Sequence, residues 1–364
     1  MFPALARISL QFLAGNGRPA FARSASADLR SPGGGWSGHP ASNPIWDALK
    51  GVPYRYVAVL SMCVVALHAQ TLIRTGDIAV RGLNAADFPR ITRLAENVYG
   101  YEQLDPTKRG LTANNLIVVT TGGVLVAEGQ GTVDNVRRLV SDIANITPQP
   151  IKYVIVGSEH GDHIGGDSAF PDGVTFIAHP FSKANLERQA ASRRLDQRPE
   201  QSKTIVPTET VDARRVLTLG TTEIQILFLG RAHTGGDLEV FLPRQNILFM
   251  SEVFINRIFP SMANGYPSEW VATLKKAEAM HASVYVPAHG FIDPPQVLNE
   301  EMVNYRLALE RVIAEGQRLH DSGVAVDGAL AASNFGEFAN WTRFNDNAAN
   351  GLKRVYMELD GQLK

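Results

Sequence analysis

The chain has 364 residues, 45% hydrophobic and 20% charged, with 35 basic side chains against 36 acidic ones. That apolar content supplies a core and excludes wholesale disorder, and the near-zero charge balance argues against a nucleic-acid binder, which carries a basic excess. A single cysteine, Cys63, excludes a disulfide framework and any zinc site built on cysteine pairs.

Residues 1–48 are rich in Gly, Pro, Ser and Ala, show no sustained apolar period and run through Ser31-Pro32-Gly33-Gly34-Gly35. Such a stretch cannot bury a core. It reads as a disordered or misassigned extension, with translation starting near Leu49 or Val52. Residues 49–69 have a different character. Lys50 and Arg55 precede the apolar run Tyr56 to Leu67, and small residues follow at Ala66 and Ala69, the layout of a secretory signal peptide. A run of twelve residues falls short of the roughly 20 that span a bilayer. No stable membrane span is therefore expected after cleavage, and the product is expected to be secreted or periplasmic. A cleaved chain without cysteine suits an oxidising compartment.

The remainder alternates strand and helix. Asn115 to Val119 and Val124 to Glu128 flank Thr120-Thr121-Gly122-Gly123, a hairpin signature. Val133, Val136, Val140 and Ile143 then step at helical spacing, with Thr132 as N-cap. Tyr153 to Val156 and Val174 to Ala178 are short buried strands, and Arg193 to Lys203 is polar and aperiodic, an exposed loop. Strands follow over 224–228, 238–242 and 247–249. Ser268 is expected to cap a helix carrying Trp270, Leu274 and Ala277, before a last strand over 284–286. Met302, Tyr305, Leu309, Val312 and Leu319 mark a long helix, and Leu352 to Leu359 a terminal one. Helices interleaved with strands imply sheets covered by helices.

Four of the nine histidines follow strands directly. The segment Ser158-Glu159-His160-Gly161-Asp162-His163-Ile164-Gly165-Gly166 puts two imidazoles and a carboxylate on one tight loop after a buried strand. His233 in Gly230-Arg231-Ala232-His233, His289 in Pro287-Ala288-His289-Gly290, and Glu252 after the strand at 247–250 also lie at strand ends. Zinc takes imidazole nitrogen and carboxylate oxygen, and a catalytic zinc keeps one position for water. His160, Asp162, His163, His233 and His289, with Glu252 as a sixth, are thus candidate metal ligands. His179, His281 and His320 sit outside any such loop and read as ordinary. Asp237 and Glu159 read as solvated turn residues or as supports behind the ligands. Phe259 to Tyr266, with Gly265 as hinge, is a candidate lid.

The His-x-Asp-His-x-Gly-Gly loop, the later Gly-x-x-His, the Phe249-Met250-Ser251-Glu252 element and the closing Pro-Ala-His-Gly resemble the metallo-β-lactamase-fold hydrolases. The resemblance covers residues 72–295. It implies an αββα sandwich with metals in a cleft at one edge of the sheets, and a helical extension over 296–364 packed on it. Two positions depart from the family. Its loop usually opens with a histidine where Ser158 stands, and its bridging aspartate is replaced by Glu252, one methylene longer. Glu252 either reaches a metal or stays behind the ligands as a base. Carried over, one metal position keeps Asp162, His163 and His289, whereas the other keeps His160 and His233, because a serine hydroxyl ligates zinc poorly.

One tight zinc at Asp162, His163 and His289 is expected, with a second ion weak or absent. Ser158→His is expected to strengthen the second position. Zinc lowers the pKa of its water from about 15.7 toward 7. The expected chemistry is attack by that hydroxide on an ester, lactone, thioester or lactam-type bond of a small molecule, with Asp162 as ligand and proton carrier. Two alternatives stay open. One is a non-catalytic metal-binding member of the fold, and the other an iron centre running redox or sulfur chemistry, which a carboxylate-plus-histidine set also admits.

Overall fold

A computed structural model of the protein describes residues 72–106, 110–192 and 203–363. The expected leader and cleavage site, and residues 193–202 of the expected loop, lie outside them. Strands β1 (Arg90–Ala95), β2 (Val98–Leu104), β3 (Thr112–Thr120), β4 (Gly123–Ala127), β5 (Ile151–Val156), β6 (Thr175–Ala178) and β7 (Glu209–Thr210) form one sheet in chain order. It is antiparallel up to β4 and parallel beyond. Strands β8 (Arg214–Leu219), β9 (Thr222–Leu227), β10 (Glu239–Leu242), β11 (Ile247–Phe249) and β12 (Val284–Val286) form the second, in the order β12-β11-β10-β9-β8. There only β11 and β12 run parallel.

The alternation of side chains along a strand explains the layering. In the β3–β4 hairpin, Ile117, Val124 and Val126 pack with Val136, Leu139 and Ile143 of α1 (Val133–Ile146). Their neighbours Leu116, Val118 and Leu125 point the other way, into a core shared with Ile224, Ile226 and Val240 of the second sheet. A sheet that is apolar on both faces must be covered on both, and the result is an αββα sandwich. Thr132 caps α1 by accepting the Asn135 amide at 3.2 Å. On the far side, α4 (Pro267–Glu278) and α5 (Pro295–Asp321) cover the second sheet; α5 buries Met302, Tyr305, Leu309, Val312 and Leu319. The remaining helices are α2 (Gly161–Ile164), α3 (Pro180–Ala191), α6 (Val326–Ala329) and α7 (Phe344–Leu359). Helix α7 crosses α5 at Gly316, where a Cβ would stand 2.5 Å from Val355 Cγ1.

Several expectations are corrected. β1, β2 and α3 have no counterpart in the sequence reading. β1 is an edge strand whose residues are at most half-buried, and α3 buries only Ser182 and Leu186, so neither carries an apolar period. Ser268 does not cap α4. Pro267 already stands in its first turn, and the Ser268 amide and hydroxyl donate to Glu358 of α7 instead. Phe259 to Tyr266 is not built as a lid. Phe259 and Met262 are fully buried, and Phe259 sits edge-on to Phe335 and Phe344 at 5.4 and 5.0 Å. The supposed hinge is tied down by Arg354, whose Nε donates to the Gly265 carbonyl at 2.6 Å.

Candidate metal centre

The carboxyl ends of β5, β11 and β12 and the loop after β9 meet at one edge of the sandwich. Beyond β5 the chain turns through Gly157 and Ser158 into α2, which has His160 at its N-cap position and Asp162 and His163 in its single turn. The loop carrying His233 is fixed by Asp237, whose carboxylate accepts the Thr234 amide at 2.7 Å and the Thr234 hydroxyl at 2.9 Å. Beyond β11, Ser251 takes a left-handed φ of 47° and turns Glu252 inward. Beyond β12, Gly290 has φ 80°, and a Cβ there would lie 2.1 Å from the Asn256 carbonyl. Only glycine lets the chain leave His289 by that route.

All six candidate ligands converge. His163 Nε2 and His289 Nε2 stand 3.1 Å apart, with Asp162 Oδ2 at 3.3 Å from His289 Nε2 and 3.8 Å from His163 Nε2. His160 Nδ1 and His233 Nε2 are 3.2 Å apart. Glu252 joins the two pairs. Its Oε1 is 3.2 Å from His233 Nε2, 3.4 Å from His289 Nε2 and 3.5 Å from His163 Nε2, while Oε2 is 2.8 Å from His160 Nδ1. Two groups therefore have metal-binding geometry, Asp162/His163/Glu252/His289 and His160/His233/Glu252. The second position has three donors where the sequence counted two, because the longer Glu252 side chain reaches it. Ser158 is not among the donors; its hydroxyl donates to Glu252 Oε2 at 2.6 Å and holds that carboxylate in place.

The donor chemistry fits a cation. Burial penalises charge on Glu252, yet His233, His160 and His163 hold it well below the usual carboxylate range, and Asp162 is likewise lowered against its burial by His163 and His289. Both carboxylates stay ionised in a buried place, and such charge is normally paired or coordinated to metal. Burial also opposes protonation of His160 and His289, but the neighbouring carboxylates outweigh it and lift them to about 9 and about 10. At His233 burial prevails and the pKa falls to about 3. His289 Nδ1 donates to the Thr112 carbonyl at 2.5 Å, which leaves Nε2 as the ligating atom.

Two contributors were missed. Glu128, fully buried just beyond β4, has Oε2 3.7 Å from His163 Nδ1 and accepts the Ser251 hydroxyl. It fastens the His163 and Glu252 segments together. An acid at the end of an apolar strand was a readable signal, the same one that marked the histidines. Glu102, buried on β2, accepts the Ile292 amide at 2.8 Å and so anchors the segment after His289. Asp237 and Glu159 are buried rather than solvated, and Glu159 accepts from Ser182 at 2.7 Å and Asn185 at 2.6 Å. His179 has a structural role, with Nδ1 accepting the Phe181 amide and its ring stacked 4.1 Å from Phe228.

Burial raises Glu102 from 4.5 to about 7, with Arg90 working against it. A carboxyl whose folded pKa lies above its unfolded one contributes stability below about pH 4.5 that is lost as pH rises through 7. Glu102→Gln is expected to flatten that loss, on the order of 3 kcal/mol, when urea midpoints are compared at pH 5 and pH 8. Parallel pH dependences in variant and wild type would refute the assignment.

Residues 110–289 match the family model described as the metallo-beta-lactamase superfamily. That matched segment is of the superfamily. Among curated relatives, the beta-lactamase-like protein 2 homolog of Caenorhabditis elegans is 22% identical over 243 residues, 65% of this chain and 76% of that protein. The metallo-beta-lactamase type 2 of Bacillus sp. (strain 170) is 21% identical over 206 residues, 55% of this chain and 76% of that protein. Among solved structures, a metallo-beta-lactamase from Pontibacter korlensis aligns with a TM-score of 0.51 at 21% identity, covering 60% of this chain and 99% of its own. The metallo-beta-lactamase IND-7 aligns with a TM-score of 0.50 at 19% identity, covering 60% and 97%. Within the superfamily fold, the candidate cluster occupies the sheet edge, and the helices beyond residue 289 lie outside the matched segment.

Proposed function

We propose that the protein is a zinc-dependent hydrolase of small molecules that cleaves an ester, lactone, thioester or lactam-type bond outside the cytoplasm. The observation that carries the proposal is Glu252, one ionised carboxylate common to two groups of imidazoles, all buried but the half-buried His160. A cation held there supplies an acidified water and a Lewis acid for the oxygen that gathers charge. The chain does the positioning. Thr112 fixes the His289 ring, Glu128 stands behind His163, and Ser158 orients Glu252. Asp162 presents a carboxylate to the cavity beside His289, where it can take and return a proton. Among the described residues no helix is long and apolar enough to cross a membrane.

A panel of chromogenic lactam, lactone, thioester and ester substrates tests this. Turnover of at least one class is expected in zinc, with loss on chelation and recovery on adding zinc back. The same zinc should raise the melting temperature by roughly 5 °C or more at a hundredfold excess over Kd. Absence of turnover across the panel in the zinc-loaded protein would refute the hydrolase. A second reading has its own observation: His160, His233 and Glu252 form a two-histidine, one-carboxylate set, the pattern of non-haem iron sites. Iron in the protein as isolated would favour it.

A further inference from the structure

A cavity of about 320 Å³ opens onto the cluster, with four of the candidate ligands on one wall and Leu111, Ile255 and Ile258 as an apolar one. Its closing wall comes from the C-terminal extension, as Arg343, Asp346 and Asn347. We propose that this extension is the substrate-recognition element and that Arg343 binds a carboxylate on the substrate. The inference rests on the reading of the cluster as the reaction centre.

Three observations carry it. First, Arg343 has φ 65° and ψ 16°, a left-handed backbone that costs a non-glycine residue energy and marks functional positions. The surroundings enforce it: the Phe259 amide donates to the Thr342 carbonyl at 2.8 Å, and Asn347 Nδ2 donates to the Phe259 carbonyl at 2.8 Å. Second, Arg343 is the only arginine or lysine lining this cavity among the described residues. Third, one contact of its guanidinium, the ion pair with Asp346 at 2.7 Å, is asymmetric: the arginine side chain is 21% exposed and the aspartate 56%. An ion pair exposed on one side is worth little and is readily exchanged for a substrate carboxylate, which a guanidinium grips with two parallel hydrogen bonds. The apolar part of the cavity lining, Leu111, Ile255 and Ile258, suits a short aliphatic spacer. The substrate class is thus a small acyl compound carrying a carboxylate remote from the scissile bond.

Calorimetric titration of the zinc-loaded protein with glutarate and with butyrate tests this, because the two differ by one terminal carboxylate. Wild type is expected to bind glutarate at least tenfold more tightly. Arg343→Gln should erase that preference while leaving butyrate within about threefold, and Arg343→Lys should restore part of it. Asp346→Asn should tighten glutarate further, and this arm stands even if Arg343→Gln fails to fold. Equal binding of the two acids by wild type, a preference that survives in Arg343→Gln, or an Asp346→Asn variant no tighter than wild type would each overturn the assignment. Failure of the whole chromogenic panel with the glutarate preference intact would overturn the hydrolase reading and leave only the carboxylate site at Arg343 standing.

Discussion

Asp162→Ala is expected to lower kcat/KM roughly a thousandfold or more on whichever substrate the panel identifies. Asp162 is a donor in the four-residue group and also lines the cavity, so in the proposed mechanism its removal takes away a ligand and a proton carrier together. Asp162→Asn separates the two. It keeps an oxygen donor at the same length but cannot carry a proton, so it should retain more zinc than alanine while staying nearly as inactive. The measurement pairs kcat with zinc content for each variant. Activity within a few-fold of wild type in Asp162→Ala would show that the role is wrongly assigned.

The second large effect concerns Glu252. It is the only side chain in both donor groups, so Glu252→Ala should reduce zinc retention at both positions, unlike His233→Ala, which should affect one. The pairing with Ser158 adds a sharper test. With Ser158 Oγ 2.6 Å from Glu252 Oε2 and both residues buried, an imidazole at 158 has no room while Glu252 keeps its length. Ser158→His alone is therefore expected to weaken zinc binding, contrary to the expectation drawn from donor types alone. Combined with Glu252→Asp, which withdraws the carboxylate by one methylene, it should recover zinc binding. Additive losses in the double variant, measured by zinc titration, would show that the two positions are not a compensating pair.

The sandwich was legible wherever burial imposes a period. The β3–β4 hairpin, α1, α5 and the strand at Ile247–Phe249 carry apolar residues at the spacing that their two-sided or one-sided burial demands. β1 and α3, which bury little, left no such pattern, and Ser268 answers to Glu358, a partner ninety positions away in sequence. In the cluster, the ligand types could be read because each follows a strand. Sharing could not. Whether Glu252 belongs to one group or both depends on the left-handed turn at Ser251 and the hydroxyl of Ser158, and neither is a local sequence property. The same holds for Phe259 to Tyr266, where aromatic residues near glycine looked mobile until the C-terminal helices covered them.

On this reading, six side chains from four chain segments hold cations jointly. Native mass spectrometry during zinc addition tests it most directly. One zinc per chain is expected at low concentration, held by the group with four donors. A second should follow at higher concentration through His160, His233 and Glu252, and both should be depleted in Glu252→Ala. A chain that retains no zinc, or whose zinc content is unchanged in Glu252→Ala, would contradict it.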